Sequence, residues 1–252
     1  MHPILFTIFG FPVYSWGVLF AVAFVVGTLV GIPIARRKGI TVDQVIDVAI
    51  FGCLGAIIFS RLLFVILNWE VYQGSLLKIF DLRDGGLAFL GGLAGGILGG
   101  YVCCKINRIS VGKMADTASI PIALGYAIAR IGCLLNGCCY GLPTNVAWAM
   151  NAAGDGILRH PTQIYASLSG LVIFAILVLF DRRRNKADGQ SMVLFIGLYS
   201  IGRFIVEFFR VAPRNYFAPL TITQVVCMGI ALIAFTMFVL IGRNARYNGM
   251  DI

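Results

Sequence analysis

The stretch IALGYAIARIGCLLNG, residues 122–137, is apolar enough to enter a lipid bilayer, yet it carries an arginine, Arg130. A guanidinium group stays charged, and placing one near the bilayer centre costs at least about 2.5–3.5 kcal/mol on insertion scales. Two further apolar stretches share this feature, namely GAIIFSRLLFVIL (55–67) with Arg61 and LFIGLYSIGRFIVEFF (194–209) with Arg203. Three such costs indicate a polar interior in which these cations meet negative charge.

Protein carboxylates cannot supply all of that negative charge, because Glu207 is the only acidic residue well inside these stretches. An anionic ligand is therefore predicted as the counter-charge. Phosphate is the simplest candidate, since the planar guanidinium group matches its oxygens with paired hydrogen bonds.

The composition indicates an integral membrane protein with an all-α fold. Of 252 residues, 59% are hydrophobic and only 12% are charged, with a mean hydropathy of +0.90. Charged residues make up about a quarter of ordinary soluble domains, which excludes that class. Helices of about 20 residues cross a bilayer, and about seven such spans are predicted in one domain covering residues 1–252. They lie near 13–35, 47–68, 87–107, 114–135, 163–181, 191–209 and 221–242.

The net charge of +9 follows the predicted topology and does not indicate a nucleic-acid partner. One side carries most of the basic residues, namely Arg36, Arg37, Lys38, Lys105, Arg108, Lys113, Arg182, Arg183, Arg184, Lys186, Arg243 and Arg246. The other side carries Lys78, Arg83, Arg159, Arg210 and Arg214. Cytoplasmic loops are enriched in Lys and Arg, so the N-terminus is predicted outside and the C-terminus in the cytoplasm.

The segment ARIGCLLNGCCYGLPT (129–144) is the first candidate site. Arg130 is predicted on the last turns of a helix, and Asn136, Gly137 and Gly141 follow it. Glycines suit a backbone that bends or approaches a ligand closely, and irregular backbone at membrane depth needs a cavity or protein around it. The alternative is a plain helix end with a glycine turn.

One helix face carries the second candidate site. Tyr199, Arg203, Glu207 and Arg210 are spaced by 4, 4 and 3 residues, which places them on one stripe. The alternative is an Arg203–Glu207 pair that only allows the helix to insert, which leaves the other two arginines unexplained.

Two other segments admit both a structural and a functional interpretation. The glycines of DGGLAFLGGLAGGILGG (84–100) are typical of close helix packing, and a glycine-lined approach for a lipid head group is the alternative. His160, in the segment from Arg159 to Tyr165, is either a hydrogen-bonding residue at a helix start or a catalytic base.

Three of the seven cysteines, Cys133, Cys138 and Cys139, lie close together in sequence. Their spacing, without a nearby histidine, matches no familiar metal site, so no metal and no cofactor are predicted. A disulfide within the group is the open alternative.

These segments, in this order, resemble the phosphatidylglycerol–prolipoprotein diacylglyceryl transferases of bacteria over nearly the whole chain. The resemblance rests on YSWG (14–17), SRLLFV (60–65), GGLAFLGGLAGG (85–96), ARIGCLLNGCCYG (129–141), RHPTQIYAS (159–167) and YSIGRFIVEFFR (199–210). Arginine, asparagine and glycines in the fourth segment and the RFIVEFFR helix are its specific parts.

The resemblance implies a multi-pass enzyme of the bacterial inner membrane, acting among membrane lipids. The reaction it implies moves the diacylglyceryl group of phosphatidylglycerol to the thiol of a prolipoprotein's lipobox cysteine and releases glycerol phosphate. Arg130 and Arg203 would hold the phosphate and Glu207 would orient a guanidinium group or a head-group hydroxyl. The implied lipid-binding residues are Arg61, Asn136, Gly137, Gly141, Tyr199, Tyr14 and His160.

Several positions depart from the family's pattern. Leu90 stands where many members have a histidine or tyrosine that is proposed as the base. Tyr14 stands where some have histidine, and Cys133 and Cys138 replace asparagine and an acidic residue. The base is therefore unassigned among Glu207, Tyr14 and His160, or absent if arginines suffice to form the thiolate.

Two other classes of function remain open at this stage. A transporter or binding protein for anionic lipids would also place arginines in the membrane, although no internal repeat typical of transporters is visible. A diverged, non-catalytic member of the family is the other alternative, and Leu90 favours it.

Overall fold

The computed structural model describes residues 3–8, 11–74, 76–80, 86–183, 187–211 and 220–248. The helices in this part of the chain are α1 (Ser15–Arg37), α2 (Val42–Leu67), the short α3 (Trp69–Tyr72), α4 (Phe89–Ile106), α5 (Val111–Leu135), α6 (Thr162–Asp181), α7 (Gln190–Glu207) and α8 (Ile222–Asn248). A 3₁₀ segment covers Leu76–Phe80. Within these described ranges, all helices except α3 are long and apolar enough to cross a membrane, which confirms the seven predicted spans.

The predicted orientation of the chain in the membrane stays a prediction. Four of the basic residues on which it depends, Arg83, Arg184, Lys186 and Arg214, lie outside the described residues, as do the chain's terminal residues and the start of the glycine-rich segment at 84–85.

A short β-hairpin precedes the first span and was not predicted. Strands β1 (Ile4–Ile8) and β2 (Phe11–Tyr14) pair antiparallel. The backbone N–H and the hydroxyl of Ser15 both donate to the carbonyl of Pro3, at 2.9 and 3.2 Å. These bonds fix the start of α1 at Ser15, so Tyr14 lies on a strand and not on the first predicted helix.

The chain divides into two compact units, one formed by residues 32–114 and the other by residues 1–31 and 115–252. In the first of these, α2 and α4 pack closely along a row of glycines. A Cβ added to Gly91 would lie 2.8 Å from the Cβ of Leu63, and one added to Gly99 would lie 2.9 Å from the carbonyl carbon of Phe51. The packing interpretation of this segment is therefore confirmed.

In the other unit, polar side chains fix the helices that carry the candidate site. The carboxylate of Asp116 on α5 accepts hydrogen bonds from the backbone N–H groups of Gly189 and Met192 at 3.0 Å, which satisfies donors at the start of α7. The hydroxyl of Ser167 on α6 donates to the carbonyl of Ala127 on α5 at 2.9 Å. The Asp116 bonds anchor the start of α7 to the start of α5, and the Ser167 bond holds α6 beside the turn of α5 that precedes Arg130.

Candidate active site

A partly enclosed cleft brings three arginines together. Arg130 comes from α5, Arg203 from α7, and Arg210 from the segment just after α7. The other lining residues are Tyr126, Cys139, Thr162, Gln163, Ala166 and Val206. The structure thus places Arg130 and Arg203, two of the three predicted intramembrane arginines, at one cleft together with Arg210.

Arg130 is positioned by an aromatic residue one turn earlier on the same helix. Its guanidinium carbon lies 4.9 Å from the ring centre of Tyr126, within the range of a cation–π interaction. The ring of Tyr126 in turn packs edge-on against Tyr199 of α7, with centres 5.2 Å apart. In the part of the chain that the structure describes, no carboxylate pairs with Arg130.

Glu207 is the carboxylate of the cleft region and is only 3% exposed. It accepts a hydrogen bond from Arg203, one turn before it, and lies 3.9 Å from Nη1 of Arg210. The hydroxyl of Thr221, just before α8, donates to its other oxygen at 3.4 Å. The predicted stripe of Arg203, Glu207 and Arg210 therefore acts as one charged group and is not a closed two-residue pair.

The charges of this site do not cancel. Arg130, Arg203 and Arg210 line the cleft, and the one carboxylate beside it, Glu207, pairs with Arg203 and Arg210, which leaves two positive charges in a largely enclosed site. Burying unpaired charge is costly, so the arrangement favours occupation by an anion.

The cleft also contains buried polar atoms without a partner. Among the described residues, Oε1 of Gln163 and Nε of Arg210 are buried and make no hydrogen bond. The amide nitrogen of Gln163 donates to the carbonyl of Cys138 at 2.6 Å, which fixes the orientation of the amide because that carbonyl can only accept. Oε1 is thus a fixed acceptor in a cleft whose other polar groups are mainly donors.

Backbone pairing around Gly141 holds Arg210 at the cleft. Gly141 forms a β-bridge with Arg210, its N–H donates to the carbonyl of His160 at 3.0 Å, and the next N–H donates to Phe209 at 2.8 Å. A Cβ on Gly141 would lie 2.6 Å from that carbonyl oxygen of His160. The signature glycine is therefore required by the close approach of three backbone segments.

Gly141→Ala is expected to destabilise the protein by about 1–3 kcal/mol, because the added methyl group overpacks a site enclosed by backbone. Thermal unfolding in detergent measures the loss. Gly229→Ala is the matched control, since nothing lies within 4 Å of the position that its Cβ would take. Equal melting temperatures for the two variants would show that Gly141 is not closely enclosed.

Three thiols meet at the turn between α5 and Gly141. The Sγ atoms of Cys133, Cys138 and Cys139 all lie within 4.8 Å of one another. The pKa of Cys139 is lowered, chiefly because Cys133 donates a hydrogen bond to its sulfur, with smaller contributions from Arg210 and Arg130, while burial opposes the shift. Burial raises the pKa of Cys138, whose thiol also interacts with Asn136. Each thiolate formed here would reduce the positive charge of the cleft by one.

The other predicted site residues lie elsewhere. Arg61 belongs to the unit of residues 32–114, where its guanidinium group donates to the carbonyls of Lys78 and Ile79 at 2.8 Å and of Gly86 at 3.1 Å. Main-chain carbonyls of the protein thus stabilise this buried cation. Its predicted role near the lipid head group stays a prediction.

Two of the three candidate bases, Tyr14 and His160, are not among the described residues that line the cleft. Tyr14 is 54% exposed at the end of β2, and Leu90, which stands where many family members have a histidine or tyrosine, is 69% exposed at the start of α4. Nδ1 of His160 lies 3.1 Å from the hydroxyl of Tyr165, and its ring packs on Phe209 with centres 5.1 Å apart. This position favours the hydrogen-bonding interpretation of His160.

Sequence reasoning missed several of the residues that line this cleft, and two of them have polar groups that bear on its chemistry, Tyr126 and Gln163. Tyr126 has a signal in the sequence, because it precedes Arg130 by one helical turn in an otherwise apolar span. Gln163 has a weaker signal, since a buried glutamine in a membrane helix needs partners for its amide group.

A model of prolipoprotein diacylglyceryl transferases matches residues 3–240 of the chain. The chain belongs to this family. Among curated relatives, it is 40% identical over 228 residues, 90% of each chain, to the phosphatidylglycerol–prolipoprotein diacylglyceryl transferase of Clostridioides difficile. The enzyme of that name from Finegoldia magna is 35% identical over 92% of each chain. The one from Clostridium tetani is 31% identical over 94% of this chain and 97% of the relative.

The match to the diacylglyceryl transferase family, over residues 3–240, reaches all seven spans and includes every residue that lines the cleft. The resemblance inferred from the motifs is confirmed, and the chain is a multi-pass membrane protein of a transferase family.

Proposed function

We propose that this protein transfers the diacylglyceryl group of phosphatidylglycerol to the lipobox cysteine of prolipoproteins, in the bacterial cytoplasmic membrane. The proposal rests above all on one observation: in a member of this family, three arginines line a cleft that has only one carboxylate beside it among the described residues. A phosphodiester lipid supplies the anion that this cleft requires. The acceptor thiol belongs to the substrate protein.

The surplus charge of the cleft matches the leaving group better than it matches the bound lipid. The acceptor thiolate attacks the carbon of the diacylglyceryl group that is joined to the phosphate through oxygen. A C–S bond forms, and the C–O bond between that carbon and the phosphate breaks with its electron pair on oxygen. The phosphate thereby changes from a diester with one negative charge to a monoester with nearly two. A site with two surplus positive charges stabilises the second state more, which lowers the barrier.

The positive charge of the cleft also favours formation of the acceptor thiolate. A free thiol with a pKa near 8.5 is mostly protonated at neutral pH, and a cationic environment lowers that pKa. We assign this effect to the cleft as a whole, with Glu207 holding Arg203 in place.

Release of the head group tests the proposal. Purified protein is mixed with vesicles of phosphatidylglycerol labelled in the terminal glycerol and with a lipobox peptide. We expect labelled glycerol phosphate to appear only when the peptide carries its cysteine. Head-group release that is equal with a Cys→Ser peptide would refute transfer to a thiol.

Inhibition by free glycerol phosphate is expected to strengthen as the pH rises. The second pKa of a phosphate monoester is near 6, so the dianion that fits two surplus charges is scarce at pH 5 and dominant at pH 7.5. The inhibition constant should therefore fall across this range. The methyl ester of glycerol phosphate keeps one charge, and its inhibition should stay constant. If the inhibition constants of the two compounds changed with pH in the same way, the cleft would not distinguish a dianion from a monoanion, which would contradict the assigned two surplus charges.

Gln163→Leu is expected to remove a preference for lipids with a head-group hydroxyl. The unpaired Oε1 can accept a hydrogen bond from the glycerol head group, worth about 0.5–1.5 kcal/mol or roughly 3- to 10-fold in rate. The measurement is the ratio of rates with phosphatidylglycerol and phosphatidylethanol, which lacks the hydroxyls. The ratio should approach one in the variant and stay unchanged in the control Ser167→Ala, on the same helix. An unchanged ratio in Gln163→Leu would contradict this contact.

A further inference from the structure

We propose that Cys133, Cys138 and Cys139 form a binding site for a thiophilic metal ion, with Cu(I) the best match. The site goes beyond the transferase reaction, which uses a thiol of the substrate. The observation that carries it is the convergence of three sulfur atoms, all within 4.8 Å of one another, at the end of α5 and in the turn that follows it.

The spacing of the sulfur atoms is close to that of a trigonal thiolate site. Metal–sulfur bonds of about 2.3 Å place three ligands of one ion about 4 Å apart. The observed spread of up to 4.8 Å therefore requires only small side-chain rotations. A helix end followed by a tight turn produces this arrangement, because Gly137 has φ +70° and Cys139 has φ +61°. The left-handed region is uncommon for a residue other than glycine.

Two buried side chains hold the turn in this shape. The hydroxyl of Thr162 donates to the carbonyl of Cys139 at 2.7 Å, and the amide of Gln163 donates to the carbonyl of Cys138 at 2.6 Å. Both side chains belong to residues that are at most 2% exposed. The thiols thus project from a backbone that is already ordered, and binding an ion costs little further ordering.

The ligand set selects the class of metal. All three donors are sulfur, and no histidine or carboxylate of the described residues joins the group. Soft thiolates favour Cu(I) and Zn(II), but zinc in structural sites almost always takes four ligands. Three thiolates without a fourth protein ligand are thus better suited to Cu(I). Each thiol releases its proton on binding, and the complex carries two negative charges.

Two arginines can balance that charge. Cys139 lines the same cleft as Arg130 and Arg210. A negatively charged metal–thiolate group at this wall would use the guanidinium groups that we assign to the lipid phosphate. Loading with Cu(I) should therefore raise the KM for phosphatidylglycerol, a consequence that rests on the proposed function.

The binding experiment needs no lipid, so its failure is distinguishable from failure of the proposed function. Full-length protein is reduced in detergent under anaerobic conditions, its thiols are counted, and Cu(I) is titrated against the chelator bicinchoninate. We expect one ion bound per chain in competition with the chelator, and sulfur neighbours near 2.3 Å by X-ray absorption. Zn(II) in a parallel titration should bind more weakly.

Matched variants assign the site. Cys133→Ser, Cys138→Ser and Cys139→Ser should each lose the ion, whereas Cys227→Ser, at a buried cysteine of α8 outside the group, should retain it. Four results would each overturn the proposal. Two concern Cu(I), namely unchanged stoichiometry in Cys139→Ser and no competition with the chelator. The others are tighter binding of Zn(II) and a disulfide within the group that survives reduction.

Discussion

Arg130→Ala is expected to abolish diacylglyceryl transfer while leaving the protein folded in the membrane. Arg130 lines the cleft and is held by Tyr126, with no carboxylate partner among the described residues, so its charge is available to the ligand. Removing one preorganised donor to a developing anion typically costs about 10²–10³-fold in rate. Transfer to a lipobox peptide measures the loss.

The control for this variant is Arg36→Ala, which removes an exposed arginine at the end of α1. It should keep its activity, and both variants should elute from a sizing column like the parent protein. Degradation of the Arg130 variant alone would show that Arg130 has a structural role, and activity equal to that of the parent would show that its charge is not needed for transfer.

Arg203→Lys is expected to lose about 10- to 100-fold in rate although its positive charge is retained. Arg203 pairs with Glu207 and also lines the cleft, and a planar guanidinium group can bind both partners at once. A lysine has a compact ammonium group that cannot copy this geometry. Losing a charge-assisted hydrogen bond costs about 1.5–3 kcal/mol, which gives the stated range.

The melting temperature separates this effect from misfolding. The variant should have a melting temperature near that of the parent, because the ammonium group can still pair with Glu207. Arg36→Lys is the matched control and should be fully active. Parent-like turnover in Arg203→Lys would refute a two-partner role for this side chain.

The seven spans were predictable because apolar length alone determines which helices can cross a bilayer. The pairing of Arg203 with Glu207 was also predictable, since helical spacing fixes which side chains share a face. Arg210 was expected on the same helix, but it lies beyond the end of α7. The same reasoning placed Arg130 at the end of its helix. Local periodicity therefore accounts for most of the chemistry on α5 and α7.

Contacts between distant segments were not predictable from periodicity. Arg210 reaches the cleft through backbone pairing with Gly141, and Arg61 is satisfied by carbonyls 17, 18 and 25 residues away. Spacing in sequence also did not predict that the sulfur atoms of the three cysteines converge, because it contains no information on the left-handed turn at Cys139.

The most direct test of the central claim is the mass of a lipobox peptide after incubation with purified protein and phosphatidylglycerol vesicles. We expect a peptide enlarged by one diacylglyceryl group through a thioether on its cysteine, with one glycerol phosphate released for each modified peptide. We expect no change in a Cys→Ser peptide. Tight binding of the lipid with an unmodified cysteine would refute transfer and would identify the cleft as a lipid-binding site without transfer activity.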